Sequence, residues 1–149
     1  MMIDLKKEFE KVGSKGVNLY KMSLIDNNRV ATGKTKDSIR FEAKPNTLTF
    51  YALDHIRDIE TGQKKEQVKK NSLKGDFYQK IETWIKARQI RRSPDSIISG
   101  LLDKGWEGTP GIITNVDDLV LKIAKESTKK TIAKQASNQI LNSLKAIKQ

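Results

Sequence analysis

The sequence predicts a mixed fold in which several helices accompany one small group of antiparallel strands. Three observations predict it: apolar residues at helical spacing near the N-terminus, alternating polar and apolar residues around position 40, and a long helical stripe towards the C-terminus. The 149 residues, 36% of them hydrophobic, are enough for one domain with one modest core. We therefore expect a single domain with a peripheral arm.

The first helix is predicted by a stripe with alternating spacings of three and four residues. The stripe comprises Met2, Leu5, Phe9, Val12, Gly16, Leu19 and Ser23. Asp4 favours the start of this helix and Asp26-Asn27-Asn28 is a stop signal, so we expect about six turns. Gly13 and Gly16 lower the intrinsic helix stability, and we expect them to serve close packing against a neighbouring element.

Strands are predicted next. Residues 38–43 alternate polar and apolar side chains, Lys44-Pro45-Asn46 interrupts them, and residues 47–53 resume with β-formers, which indicates a β-hairpin. We expect a third extended piece over residues 55–60, ending at Gly62. The lysine-rich stretch 64–74 has little apolar content and is interpreted as a mobile loop.

Helices follow in the second half. Phe77, Ile81, Trp84 and Ile85 continue at helical spacing after Asp76, a candidate N-cap, and Ser93-Pro94-Asp95 is predicted to end that helix. A short helix through residues 97–102 is expected to stop near Gly105, before the turn-forming residues 106–111. The last helix is predicted to run from Asp117 through about thirty residues with lysines opposite its apolar stripe.

The charge is strongly positive and uneven. The net charge is +11, so the chain is expected to attract polyanions: nucleic acid, an acidic protein ring or anionic lipid. Residues 61–92 carry ten Lys or Arg against three Asp or Glu, and residues 119–149 carry seven Lys against one Glu. The sign of the charge alone does not choose among these partners.

Composition excludes several function classes. The chain has no cysteine, which rules out disulfides, thiolate nucleophiles and cysteine-ligated metals. It has no apolar run typical of a signal peptide, and none near the ~18 residues of a membrane span. We expect a protein that is soluble and unsecreted, with no membrane partner.

Few residues suggest catalysis. His55 is the only histidine and is interpreted as an ordinary strand residue. Asp54, Asp58 and Glu60 would share one face of a strand and could hold a divalent cation or serve a hydrolase, although a solvated edge is the favoured interpretation. The string Ala31-Thr32-Gly33-Lys34-Thr35 resembles the end of a phosphate loop but lacks its first glycine and its strand, so we interpret Gly33 as a helix–loop junction. We expect no enzymatic activity, cofactor or metal.

Basic and aromatic residues alternate around the second half of the chain. Side chains that could bind single-stranded nucleic acid are Phe77, Tyr78, Trp84, Arg88, Arg91 and Arg92. We favour a different interpretation, in which Phe77, Ile81, Trp84 and Ile85 share a helix face and form core, and the arginines form a positive rim.

Several ordered landmarks together resemble a known family. They are Thr32-Gly33 followed by Ser38-Ile39, the hairpin, Ile59-Glu60-Thr61-Gly62, the Ile81-Trp84-Ile85 helix, and Lys104-Gly105 with Gly108-Thr109-Pro110. In this order they resemble the tail-completion or head–tail joining (neck) family of long-tailed bacteriophages, over about residues 3–125. This chain has Lys36 where the family usually has an apolar residue, and its basic C-terminal helix continues beyond the usual family end.

The resemblance implies an α+β fold, with a small antiparallel sheet packed by a long N-terminal helix and further helices. It implies residues 1–125 as a neck-like domain and 126–149 as an extended helical arm. The implied protein is made in the host cytoplasm and assembles into the virion as a ring homo-oligomer. The ring would lie between the portal or connector and the tail proteins, with possible passing contact with genomic DNA. The alternative is a basic nucleic-acid-binding accessory protein. The residues expected to bind partners are Lys64, Lys65, Lys69, Lys70, Lys74, Arg91, Arg92, Lys129, Lys130 and Lys134.

Overall fold

A computed structural model describes residues 3–29, 33–53 and 55–147, with side chains as far as residue 145. It confirms the predicted α+β class: a mostly helical chain with small antiparallel sheets and a long C-terminal helix. The predictions made for Met2, Ala31, Thr32 and Asp54 fall outside the described residues.

Two long helices and a hairpin form the body of the fold. In chain order its elements are α1 (Lys6–Asp26), α2 (Lys34–Asp37), β1 (Arg40–Ala43), β2 (Leu48–Tyr51), α3 (Ile56–Thr61) and β3 (Gly62–Gln63), followed after an insertion by β4 (Trp106–Glu107) and α7 (Thr114–Ile147). The insertion carries α4 (Lys65–Ser72), α5 (Phe77–Arg88) and α6 (Pro94–Lys104).

The first helix forms as the sequence predicts. The Asp4 carboxylate accepts a hydrogen bond from the Lys6 backbone N–H at 2.8 Å, which satisfies one of the free donors at the helix start. The helix ends at Asp26, and Asn28 then adopts a left-handed conformation with φ of 55°. A methyl group added at Gly13 would lie 2.3 Å from the ring of Phe41, so the predicted close packing of this glycine is confirmed.

The predicted hairpin is also confirmed. Strands β1 and β2 pair antiparallel with Phe41 opposite Phe50 and Ala43 opposite Leu48. The backbone N–H of Lys44 donates to the Thr47 carbonyl at 2.8 Å and closes the turn. The Phe50 ring meets Tyr20 of α1 edge to face, with ring centroids 5.4 Å apart.

The main core lies where α1, α7 and the hairpin meet. Its buried members are Val12, Tyr20, Leu24, Ile39, Ile112, Ile113, Val116 and Val120. Leu24 has no exposed surface, and Ile112 and Ile113, which directly precede α7, belong to the same buried cluster. Burial of these aliphatic side chains stabilises the fold by about 1.5–3 kcal/mol for each one fully buried.

The predicted third strand is wrong, because residues 56–61 form α3. Ile56 and Ile59 lie three residues apart and both pack against the main core, which only a helical turn allows. His55 precedes this helix, and its Nε2 lies 2.7 Å from the Thr35 hydroxyl. The positive φ of 72° at Gly62 then turns the chain out of α3.

The predicted mobile loop at residues 64–74 is also wrong. Residues 65–72 form α4, in which Val68 is 2% exposed. This helix packs against α5 and α6, and Val68, Ile85 and Ile97 are the buried apolar residues of the trio. One buried valine gives almost no periodic signal, so tertiary packing determines this helix.

The three helices of residues 64–105 leave and re-enter the fold at one narrow point. Strand β3 pairs with β4, so Gly62 opposes Glu107 and Gln63 opposes Trp106. A methyl group added at Gly105, where φ is 70°, would lie 2.2 Å from the Gln63 carbonyl oxygen. Residues 64–105 are therefore an inserted helical unit, which we call the helical insert.

The predicted C-terminal helix is confirmed as α7, a single helix of 34 residues. It continues without a break through residue 125 and stays in contact with the N-terminal part of the chain. Ser127 donates to the Glu8 carboxylate at 2.7 Å, and the Gln135 amide donates to the Asp4 carbonyl at 3.3 Å. The division into residues 1–125 and 126–149 stays a prediction.

Candidate binding groove

An open groove with a volume of about 1180 Å³ lies between the helical insert and the body of the fold. The insert contributes one face of α5 and the neighbouring residues of α4 and α6. The body contributes α2, α3 and the residues around β4. The groove lies where the insert stands beside the body, to which the β3–β4 ladder joins it.

The floor of the groove is apolar and corrects one sequence interpretation. Phe77, Ile81, Trp84 and Ile85 share one side of α5 as predicted, but only Ile85 is buried. Phe77, Ile81 and Trp84 line the groove instead, and Trp84 is 38% exposed. The buried residues of the three helices are Val68, Ile85 and Ile97, and the rest of the α5 stripe faces the groove.

The rim of the groove is cationic. Its charged lining residues comprise the cations Arg29, Lys34, Lys36, Lys74, Lys80 and Arg88 and the carboxylates Asp58, Asp76 and Glu107. Asp76 pairs with Lys80 at 3.1 Å, and the Asp58 carboxylate accepts a hydrogen bond from the Gln63 amide at 2.7 Å. The hydrogen bond and charge of Lys80 hold the pKa of Asp76 below its usual value.

Two arginines of the rim are anchored to the body of the fold. Arg88 donates from Nη2 to the Asn28 carbonyl, and Arg29 donates from Nε to the Thr109 hydroxyl at 2.7 Å. The buried Nε of Arg88 has no hydrogen-bond partner within the described chain. This nitrogen is therefore an unsatisfied donor inside the fold.

A polar cluster in the body of the fold joins α3 to the start of α7. The Glu60 Oε1 accepts hydrogen bonds from the backbone N–H groups of Ile113 at 3.3 Å and Thr114 at 3.0 Å, and from the Thr114 hydroxyl at 2.7 Å. Partial burial alone would raise the pKa of Glu60, but these hydrogen bonds outweigh it and lower the pKa. Glu60 thus holds the start of α7 as an ionised carboxylate.

Asp117 joins three helices in the same cluster. It accepts a hydrogen bond from the Tyr20 hydroxyl at 2.5 Å and pairs with Arg57 at 3.0 Å. Burial and this carboxylate raise the pKa of Tyr20, so the phenol stays protonated. The predicted shared face of Asp58 and Glu60 is wrong, because a helix directs Glu60 to α7 and Asp58 to Gln63.

The ten predicted partner-binding residues are all exposed but do not form one site. Lys64, Lys65, Lys69, Lys70 and Lys74 lie on α4 or at its ends, and Arg91 with Arg92 lies between α5 and α6, whereas Lys129, Lys130 and Lys134 lie on α7. Only Lys74 lines the groove. Within residues 3–29, 33–53 and 55–147, none of the ten forms an ion pair with a carboxylate.

Sequence reasoning missed the groove itself. The signal that could have indicated it is the α5 stripe, because its neighbour α4 offers Val68 as its one apolar residue.

The described residues show neither a metal site nor a membrane-spanning helix. Across the part of the chain that the structure describes, no group of three or more His, Asp or Glu side chains could hold a metal ion. Among the same residues, no helix is long and apolar enough to span a membrane.

Comparisons of this chain with protein-family models, with curated proteins and with solved structures each gave no match.

Proposed function

We propose that this chain is a structural virion protein of a tailed bacteriophage, which forms a ring at the head–tail interface and joins the connector to the tail. Several of the residues that carry the family resemblance support this proposal, because they lie at turning points of the chain. Gly33 precedes α2 with φ of 85°, Gly62 follows the end of α3 with φ of 72°, and Glu60 holds the start of α7. The proposal contains no catalytic step.

The last turns of α7 carry the proposal that copies associate. This helix is about 50 Å long at 1.5 Å per residue, and beyond Gln135 no hydrogen bond to another element is found among the described residues. Ile140 is 62% exposed, Leu141 54% and Leu144 50%. A neighbouring copy that covered these side chains would make a heterologous contact, which closes into a ring when the rotation between copies allows it.

Mass photometry and negative-stain microscopy of the full chain test this proposal. We expect ring-shaped particles for the wild type and dissociation for the double variant Leu141→Glu/Leu144→Glu. Leu121→Glu is the matched control, because Leu121 lies on the same helix at the same 54% exposure but outside the last turns. A chain that stays monomeric at every concentration contradicts the proposed ring. If the double variant still forms rings, the last turns of α7 are not part of the interface between copies.

The virion part of the proposal has an independent test. Genes for a portal, a major capsid protein and a tail tube beside this one support it, whereas a gene neighbourhood without them counts against it. Copurification of the wild-type chain with the neighbouring connector protein is the expected biochemical result.

The second candidate function is nucleic-acid binding, which the helical insert favours by its charge. Residues 64–105 hold eleven Lys or Arg and five Asp or Glu. Binding through phosphate contacts would weaken steeply as salt rises. Filter binding at two salt concentrations separates the candidates: tight, salt-sensitive binding by a monomer supports this function, and weak binding by a ring supports the first.

A further inference from the structure

The groove presents an apolar surface that no segment of the described chain covers. Phe77, Ile81 and Trp84 on α5 and Leu101 on α6 all face it, and each is at least partly exposed. The residues of α5 lie at positions i, i+4 and i+7, so they form a straight apolar ridge along one wall. A groove with an apolar wall is the kind of surface on which an amphipathic helix docks its apolar face.

The volume of the groove suits a short helix. Eight residues of helix, a little over two turns, are about 12 Å long and 10–12 Å wide, which corresponds to roughly 1,000 Å³. The groove measures about 1180 Å³. An occupant of about eight helical residues would therefore fill it and cover the exposed ring of Trp84.

Charge decides what kind of helix fits. The lining has six cations and three carboxylates, and among them Lys80 pairs with Asp76 and Lys36 pairs with Asp37 outside the lining. Lys74 lines the groove as well and forms no ion pair with a carboxylate among the described residues. An apolar helix face flanked by Glu or Asp complements this rim.

The same argument excludes one other occupant and disfavours a second. The C-terminal arm of a second copy is apolar on one side, but residues 127–149 contain five Lys and no Asp or Glu, so the rim would repel it. Single-stranded nucleic acid carries the right charge and could stack on Phe77 and Trp84, but the aliphatic side chains of Ile59, Ile81 and Leu101 in the same lining favour the apolar face of a helix. The binding test therefore includes nucleic acid as an outcome.

From these observations we infer that the groove between the helical insert and the body is a docking site for an acidic amphipathic helix of a partner protein. The apolar face of that helix would cover Trp84, and its carboxylates would meet Lys74 and Arg88. This inference goes beyond ring formation and holds for a monomer as well as for an assembled chain.

A direct binding measurement tests it. The probe is a fluorescein-labelled, helix-stapled peptide with Leu at positions i, i+3, i+4 and i+7 and Glu elsewhere, and its control has the same leucines with Lys in place of Glu. Anisotropy measured with the full chain should show saturable binding of the acidic peptide and not of the basic one. Both tryptophans of the chain line the groove, so unlabelled acidic peptide should also shift the intrinsic fluorescence of the wild type.

Matched variants place the peptide in the groove. Trp84→Ala should weaken binding about tenfold or more, as expected for a central aromatic contact, whereas Tyr78→Ala, on the same helix but outside the groove and 46% exposed, should leave it unchanged. Lys74→Glu should weaken binding about three- to tenfold, and Lys129→Glu, the same charge change on α7, should not. Circular dichroism checks that each variant is folded.

Three results would overturn the inference. The first is that the acidic peptide shows no saturable binding. The second is an equal loss of binding from Lys74→Glu and Lys129→Glu, because this would indicate attraction by net charge alone. The third is that a fluorescent oligothymidylate binds more tightly than the peptide and that Trp84→Ala abolishes this binding, because the groove would then be a nucleic-acid site. None of them depends on whether the chain forms rings, so the failure of the groove and the failure of the ring can be distinguished.

Discussion

Removing the Glu60 carboxylate tests how α3 holds the start of α7. In the wild type this carboxylate accepts hydrogen bonds from two backbone N–H groups and one hydroxyl at the first residues of α7. Glu60→Ala removes all three. Water reaches the exposed hydroxyl of Thr114, but the backbone N–H groups at the helix start lose an acceptor that also opposes the positive end of the helix dipole.

The expected loss is about 2 kcal/mol in the free energy of unfolding. Hydrogen bonds to a charged group contribute about 1.5–3 kcal/mol, and loss of a capping side chain typically costs about 1 kcal/mol. Because Glu60 is only partly buried, we take a value low in the range for charged groups. In a chain of this size each kcal/mol lowers Tm by about 2–4 °C, so Glu60→Ala should lower Tm by about 4–8 °C.

Urea unfolding followed by circular dichroism measures this change. The control is Glu82→Ala, which removes an exposed carboxylate paired with Lys86 at 3.1 Å on α5 and should cost at most about 0.5 kcal/mol. Glu60→Gln keeps one oxygen acceptor and loses the charge, so it should fall between the wild type and Glu60→Ala. Equal losses in Glu60→Ala and Glu82→Ala would refute the reasoning.

The pH dependence gives a second measurement on the same residue. Because the pKa of Glu60 is lower in the folded chain than its ordinary value of 4.5, its charge stabilises the fold at neutral pH. That contribution is complete above the ordinary value and is lost as pH falls through the folded pKa. The stability difference between the wild type and Glu60→Gln should therefore be largest at neutral pH and shrink below pH 4.5; a difference that stays constant would contradict the assignment.

Three further predictions concern packing and buried hydrogen bonds. Gly16→Ala should destabilise the chain by about 1–3 kcal/mol in urea unfolding, because its new methyl group would lie 2.6 Å from the ring of Phe50 in the hairpin. Its control is Gly100→Ala, which has nothing within 4 Å of the new methyl group and should stabilise α6 by up to about 1 kcal/mol. Tyr20→Phe leaves one oxygen of Asp117 without its donor and should cost about 1–3 kcal/mol, with a loss below 0.5 kcal/mol counting against this contact. Leu24→Ala, at a fully buried position, should cost about 2–5 kcal/mol by thermal unfolding, and a smaller loss would show that the core collapses around the gap.

Local signals predicted the elements that are long or bounded by strong stop signals. The stripe of α1 with Asn27 and Asn28 at its end, the alternation of the hairpin, and the stop of α6 at Gly105 all appear where they were expected. The end of α5 was predicted too late, because the chain leaves the helix at Gln89, which has φ of 53°, and Ser93 caps the start of α6 instead. A serine before proline marks a helix start as readily as a helix end.

Short segments were predicted less well, since their conformation depends on distant contacts. Ile56 and Ile59 form a helix because both reach the main core, and α4 is stable because Val68 reaches α6. The predicted partner-binding residues rest on charge alone and stay a prediction, and their exposure follows from the same charge. Their distribution over α4, the α5–α6 connection and α7 could not be predicted, because it depends on how the helical insert folds.

The sequence by itself determined the fold class, the long helices, the hairpin, the excess of positive charge and the absence of cysteine chemistry, because each of these depends on composition or on spacing along the chain. The tertiary structure decided that residues 64–105 form a unit joined to the body at the β3–β4 ladder, and that Phe77, Ile81 and Trp84 face a groove. The physical reason is that burial depends on which surfaces meet. An apolar stripe predicts a helix face that avoids water, and only the packing of α4, α5 and α6 shows which part of that face is left uncovered.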